Sequence, residues 1–182
     1  DRTLSVERAN LLALALILPL AGVVALPFTA VWHRNPFSAE IIPGVSTFVN
    51  GLLSLVVFAA AVALHEGLHA LGYWLGGARH DQISFGILLG NPFAHCSVPL
   101  RVNAYRFAVA LPALALGVGP ALIGTLTGNA TLNTAGLVML LAAGGDLLVL
   151  WMLRDLPARA LVSDHPERVG CLVTLPAASD PR

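Results

Sequence analysis

Long apolar runs separated by short polar breaks set the layout of this chain. Leu11–Val31 is 21 residues without a charge, enough to cross a hydrocarbon layer of roughly 30 Å at about 1.5 Å per residue. It predicts a first membrane span, kinked by Pro19 and Pro27. A polar head, Asp1–Asn10, precedes it, and Ser5 followed by Glu7 and Arg8 can begin a helix there. Trp32-His33-Arg34-Asn35-Pro36 reads as an interfacial stop, with His33 a solvated loop residue. A connection through Glu40, Pro43 and Gly44 leads to a second span, Thr47–Leu75. Tyr105–Leu126 predicts a third, bent at Pro112 and at Gly117-Val118-Gly119-Pro120. After a turn at Gly128-Asn129-Ala130-Thr131, Leu132–Leu153 predicts a fourth.

Arg79–Asn103 is too polar and broken to span. Gln82–Leu89 and Ala94–Leu100 are strand-like around the turn signal Gly90-Asn91-Pro92, so a short hairpin tucked beside the second span is expected, an interfacial loop being the plainer alternative. A free strand edge there could hold an extended peptide by main-chain hydrogen bonds. Phe85, Gly86, Asn91, Pro92 and His95 are its candidate substrate-binding residues. The tail, 154–182, is polar, with a strand-like Val169–Leu175.

Composition supports this layout. Hydrophobic residues make up 57%, charged residues 11%, and mean hydropathy is +0.79, against about 45–50% and 25% in an ordinary soluble domain. The expected fold is an all-α membrane protein, a single domain over 1–182 with four transmembrane helices and a hairpin-like insert. Net charge is zero and all ten basic residues are Arg, which leaves no basic surface for nucleic acid. With the head placed in the cytoplasm, nine of the ten arginines fall on that side, so both termini are expected to be cytoplasmic. Cys96 and Cys171 then face a reducing compartment and are expected as free thiols. The chain opens on Asp1, and that end neither asserts nor excludes a signal peptide.

Candidate chemistry lies inside the second run, where His65-Glu66-Gly67-Leu68-His69 interrupts an apolar stretch. An ionisable side chain costs roughly 2.5–3.5 kcal/mol in a span even on lenient scales, so three together call for a reason. Random placement would produce this pattern on the order of 0.004 times. Two histidines four apart on a helix can reach one metal ion, with Glu66 beside it as a general base; the plainer reading is a pair of buried histidines bonded to backbone carbonyls. The same helix face carries Gly51, Ser54, Phe58, Ala61, Gly72 and Gly76, mostly small residues that let helices approach closely.

A catalytic zinc takes three protein ligands. The pattern with a third His after Gly72 is broken at Leu75, and Glu167 lies far away in the tail. Asp146, behind Ala142-Ala143-Gly144-Gly145, ranks first because it is the other acid inside a span and lies at the same depth from the cytoplasmic end as His69. His95 and the Asp164–His165 pair are the alternatives.

His65-Glu66-Gly67-Leu68-His69 on one span, a strand-rich insert, a bent span and then Asp146-Leu147 resemble the three-helix core of the site-2 protease class of intramembrane zinc metalloproteases, without its Asn-Pro element near the third ligand. A closer resemblance is to the small bacterial membrane proteins known as putative zincin peptidases. There the zinc motif, the Pro112 region, the segment ending at Asp146 and an Asp-His-Pro like Asp164-His165-Pro166 recur in this order. The resemblance covers about Leu52–Leu175. It implies a fold and a metal, Zn2+; together with the arginine bias, the expected function is that of a multi-pass bacterial protein of the cytoplasmic membrane that cuts a membrane protein or peptide on the cytoplasmic side. Two rivals stay open from the residues alone: a non-hydrolytic zinc-binding sensor, carrier or scaffold, and a membrane hydrolase acting on a non-peptide substrate.

Overall fold

Prolines and glycines decide where the apolar runs break. In the computed structural model, which describes residues 2–38, 40–88, 90–165 and 169–175, the first run forms α1 (Val6–Ala15) and α2 (Ile17–Trp32). Pro19 has no N–H to offer the carbonyl of Ala15, and the chain tightens at Leu16, whose N–H reaches back to Ala13 O at 3.0 Å. His33 ends α2 in the left-handed region at φ 52°. The second run is one unbroken helix, α3 (Thr47–Leu75). The third is α4 (Val102–Pro112), a π-helical stretch Ala113–Val118, and α5 (Gly119–Thr127). Pro112 and Pro120 bracket that stretch, and each removes an ordinary helix bond. Gly128 stops α5 at φ 72°. Asn129 then starts α6 (Ala130–Ala142), its side chain accepting from the N–H of Leu132 at 3.0 Å, which is N-cap chemistry.

The fourth run departs from expectation. It is not one continuous helix but α6 followed by α7 (Gly144–Leu153), bent by 55°. Three helical stretches are long and apolar enough to cross a membrane, Glu7–Trp32, Thr47–Leu75 and Val102–Thr127, or four if the bent pair counts as one span.

The fold is mostly helical, but the all-α expectation needs correction. A four-stranded antiparallel sheet runs in the order β1 (Arg2–Leu4), β6 (Val169–Thr174), β5 (Leu161–Asp164), β4 (Leu100–Arg101). Its strands are two to six residues long and come from the head, the insert's end and the tail; β6 falls on the strand-like Val169–Leu175, whereas β1, β4 and β5 are too short for local alternation to announce them. The expected hairpin is present as β2 (Ile83–Leu88) and β3 (Asn91–Cys96), pairing Phe85 with Ala94 and Gly86 with Phe93, but Asn91 and Pro92, expected in the turn, belong to β3, which starts earlier than the expected Ala94. Pro166, Glu167, Arg168 and Arg182 of the tail, and Leu89 of the hairpin turn, lie outside the described residues.

The chain divides into two units. One, Asp1–Asn10 with Glu66–Leu111 and Gly145–Arg182, holds both sheets, α7, most of α4 and the end of α3. Its core is Tyr73, Val102, Tyr105, Ala108, Leu153, Val162 and the two cysteines. Cys96 and Cys171 are buried free thiols. Burial pushes the Cys171 thiol up to about 11, helped by the Asp164 carboxylate, so it stays protonated at neutral pH. The other unit, Leu11–His65 with Pro112–Gly144, packs Val24, Ala113, Ala121, Leu137, Leu140 and Ala143 together. Buried Asn133 takes the hydroxyl of Thr125 at 3.1 Å and donates to Pro36 O at 3.2 Å, and Trp32 Nε1–H donates to Thr125 O at 2.6 Å.

Candidate metal centre

Helical spacing places His65 and His69 one turn apart on α3, and both are buried, each 7% exposed. Asp146 arrives from α7, where the break after Ala142 puts it in the first helical turn. A carboxylate is favoured there by the positive end of the helix dipole. The ligand atoms of His65, His69 and Asp146 all lie within 4.8 Å of one another, the one such group of three among the described residues. His69 Nε2 and Asp146 Oδ1 are 3.3 Å apart. Adjacent ligands of a tetrahedral zinc bound at about 2.0–2.2 Å sit roughly 3.3–3.6 Å from each other.

The other ring nitrogen of His69 meets the backbone carbonyl of Ala108 on α4 at 3.0 Å. A carbonyl oxygen only accepts, so Nδ1 carries the proton and donates it. Nε2 is left with its lone pair facing the Asp146 carboxylate, and two electron-pair donors at 3.3 Å need a proton or a cation between them. Two imidazoles and a carboxylate with this spacing suit zinc. Glu66, half-buried, lies between the two histidines in sequence.

Close helix packing makes the carbonyl contact possible. A Cβ on Gly72 would collide with the Cα of Ala108, and one on Gly76 would come within 3.2 Å of the Ala104 methyl. Gly72 on α3 and Gly76, just past its end, thus face Ala108 and Ala104 on α4, two small-xxx-small pairs that let the backbones touch. Arg106, on α4 as well, donates through one terminal nitrogen to Leu153 O at 2.5 Å and Leu156 O at 3.0 Å, closing the C-terminus of α7, the helix that carries Asp146.

A family model matches residues 58–161, over half of the chain, and its description is putative zincin peptidase. The chain belongs to the putative zincin peptidase family. Membership implies zinc as the cofactor and a peptide or protein as substrate, and it supports metallopeptidase activity. No curated protein matches the chain, and no solved structure does.

Within this zincin-family chain, two of the alternative ligands, Asp164 and His95, are engaged with each other and with neighbouring groups. Asp164 accepts from the N–H of Cys96 at 2.7 Å and from the hydroxyls of Tyr105 and, at 3.4 Å, Tyr73. His95 Nδ1 lies 3.5 Å from Oδ2, the oxygen that takes the Cys96 N–H. Burial raises the Asp164 carboxyl above its ordinary value, and the Cys96 N–H and Tyr105 hydroxyl oppose that rise. Asp164 therefore ties the tail to α3, α4 and the hairpin, a role the sequence does not announce, because its partners are 59 to 91 residues away. Tyr73 also stacks near the His69 ring, with centroids 6.4 Å apart.

Of the expected substrate-binding residues, Phe85 is exposed at 64%, Gly86 lies under the Phe93 ring, Pro92 pairs with Ile87, Asn91 opens β3, and His95 is held at Asp164. The hairpin is a two-stranded sheet of its own among the described residues. Beside β2, an apolar cavity of about 270 Å³ is lined by Ala70, Leu71, Trp74, His80, Ile83 and Phe85.

Proposed function

We propose that this chain is an intramembrane zinc metallopeptidase related to the site-2 protease class, hydrolysing peptide bonds of membrane-protein substrates. The observation that carries the reading is the convergence of His65, His69 and Asp146 beside Glu66. Those three residues would hold the metal, which when bound would supply Lewis acidity, lowering the pKa of a water towards about 7 and polarising a carbonyl. Glu66 takes the proton of the attacking water and returns it to the leaving amine. Ala108 O keeps His69 in the tautomer that presents Nε2.

The substrate is an unwound transmembrane segment laid along the hairpin edge, with an apolar side chain in the cavity between Trp74, Ile83 and Phe85. Phe85, Gly86, Asn91, Pro92 and His95 line that edge. The whole of 1–182 acts as one membrane domain, with both termini and the site on the cytoplasmic side. Apolar spans that turn Leu18, Val23, Leu55, Val56 and Leu126 outward support a lipid setting.

Purified protein in lipid bilayers, offered a panel of transmembrane peptides with and without a chelator, tests this. Zinc-dependent cleavage is expected, and Glu66→Gln should keep the metal while losing turnover by about 10²–10⁴-fold. Cleavage by Glu66→Gln at the native rate overturns the base assignment. Metal binding with no cut peptide overturns the peptidase reading.

A further inference from the structure

Pro112 has no part in the chemistry described so far, yet its position bears on His69. In an uninterrupted α-helix, the amide of residue 112 would donate to the carbonyl of residue 108. Proline has no N–H, and its ring crowds that same carbonyl and tips it away from the helix axis. The carbonyl in question belongs to Ala108, the one that His69 Nδ1 meets at 3.0 Å. A second observation converges on the same atom: Gly72, less than one turn beyond His69, lets the Ala108 backbone come so near that even a methyl group would collide with it. The ordinary helix leaves each mid-helix carbonyl bonded to its own amide, and such an oxygen is a poorer acceptor for a side chain.

We infer that Pro112 is a positioning residue: by withholding an N–H, it leaves the Ala108 carbonyl to His69, and so fixes the imidazole with Nε2 towards the metal. The inference rests on reading His69 as a zinc ligand. What Pro112 contributes is therefore the absence of a donor rather than a bend. A proline in a span is tolerated wherever neighbouring groups satisfy the carbonyl it releases, and here the satisfying group is the imidazole. Zinc-ligating histidines commonly donate their second nitrogen in this way, and losing such a partner costs 10–100-fold in metal affinity.

The test uses the full chain in lipid with ¹⁵N-labelled histidine, zinc-free and zinc-loaded, with His69 assigned by substitution. In the native protein, the His69 Nδ1 proton should resonate far downfield and exchange slowly. Pro112→Ala restores an amide that competes for the carbonyl. The proton should then move upfield and exchange faster, and zinc affinity should fall by about tenfold to a hundredfold. An ester at position 112, made by placing lactic acid there, lacks both the N–H and the ring, and should return both readouts to native values. Pro27→Ala in α2 should leave them unchanged.

Native readouts in Pro112→Ala overturn the inference, as does an ester variant that behaves like Pro112→Ala, which would make the ring itself responsible. If Pro112→Ala does not fold, the native protein still decides: a His69 protonated on Nε2 and bare on Nδ1 overturns it. Failure of the native chain to bind zinc or to cut any peptide counts against the metallopeptidase reading, while the Nδ1 resonance separately decides the positioning role.

Discussion

Asp146 reads in the sequence as a carboxylate in the middle of an apolar run, and the structure puts it in the first turn of α7. The difference matters energetically, because a helix N-terminus offers aligned amides and a positive dipole end to an acid that hydrocarbon alone would not tolerate. Asp146→Ala is expected to lower zinc affinity by at least about a hundredfold, beyond the loss that follows when only a supporting partner is removed. Competition against a fluorescent chelator measures it, and undiminished affinity would move the third ligand away from Asp146. His65, Glu66 and His69 were legible because a repeat of four residues is itself a statement about helix geometry. The acceptor for His69 was not, because a backbone carbonyl has no letter of its own. The one sequence signal for it was Pro112, four residues after Ala108.

Among the elements, α4 organises the site without contributing a ligand. Its Ala104 and Ala108 meet Gly76 and Gly72, its Ala108 carbonyl holds His69, and its Arg106 closes the end of α7. Gly72→Val should force α3 and α4 apart, costing about 1–3 kcal/mol of stability as overpacking does, and should weaken zinc binding along with it. A Cβ at Gly51 on the same helix meets nothing within 4 Å, and Gly51→Val should leave zinc binding as it was. Thermal melts and zinc titrations of the two variants give the comparison, and equal effects would mean that the contact between Gly72 and Ala108 does not position the site. The small-residue face of α3 was visible in the sequence. Its partner was not, since spacing identifies a face but not the helix that covers it.

At the scale of the whole molecule, the long apolar helices present much of their side-chain surface outward, with Leu18, Leu26, Phe48, Leu55 and Leu126 all strongly exposed. Water would not support that surface. The chain is expected to stay with the membrane pellet through alkaline carbonate and to be released by detergent, and reporter tags at either end should both read cytoplasmic. Release by carbonate would contradict the spans, and a tag on the far side would contradict the orientation.

The rough extent of the first three apolar helical stretches and the four-residue spacing of His65 and His69 on α3 were determined by the sequence itself, because hydrophobic length and helical spacing are local properties that any short window contains. Only the tertiary structure decided that the fourth run breaks ahead of Asp146, that short strands from both ends of the chain join one sheet through β5 and β6, and that Asp164 gathers Tyr73, Cys96 and Tyr105. Those features depend on pairings between residues far apart in the chain, whose free energy arises only when the partners are brought together.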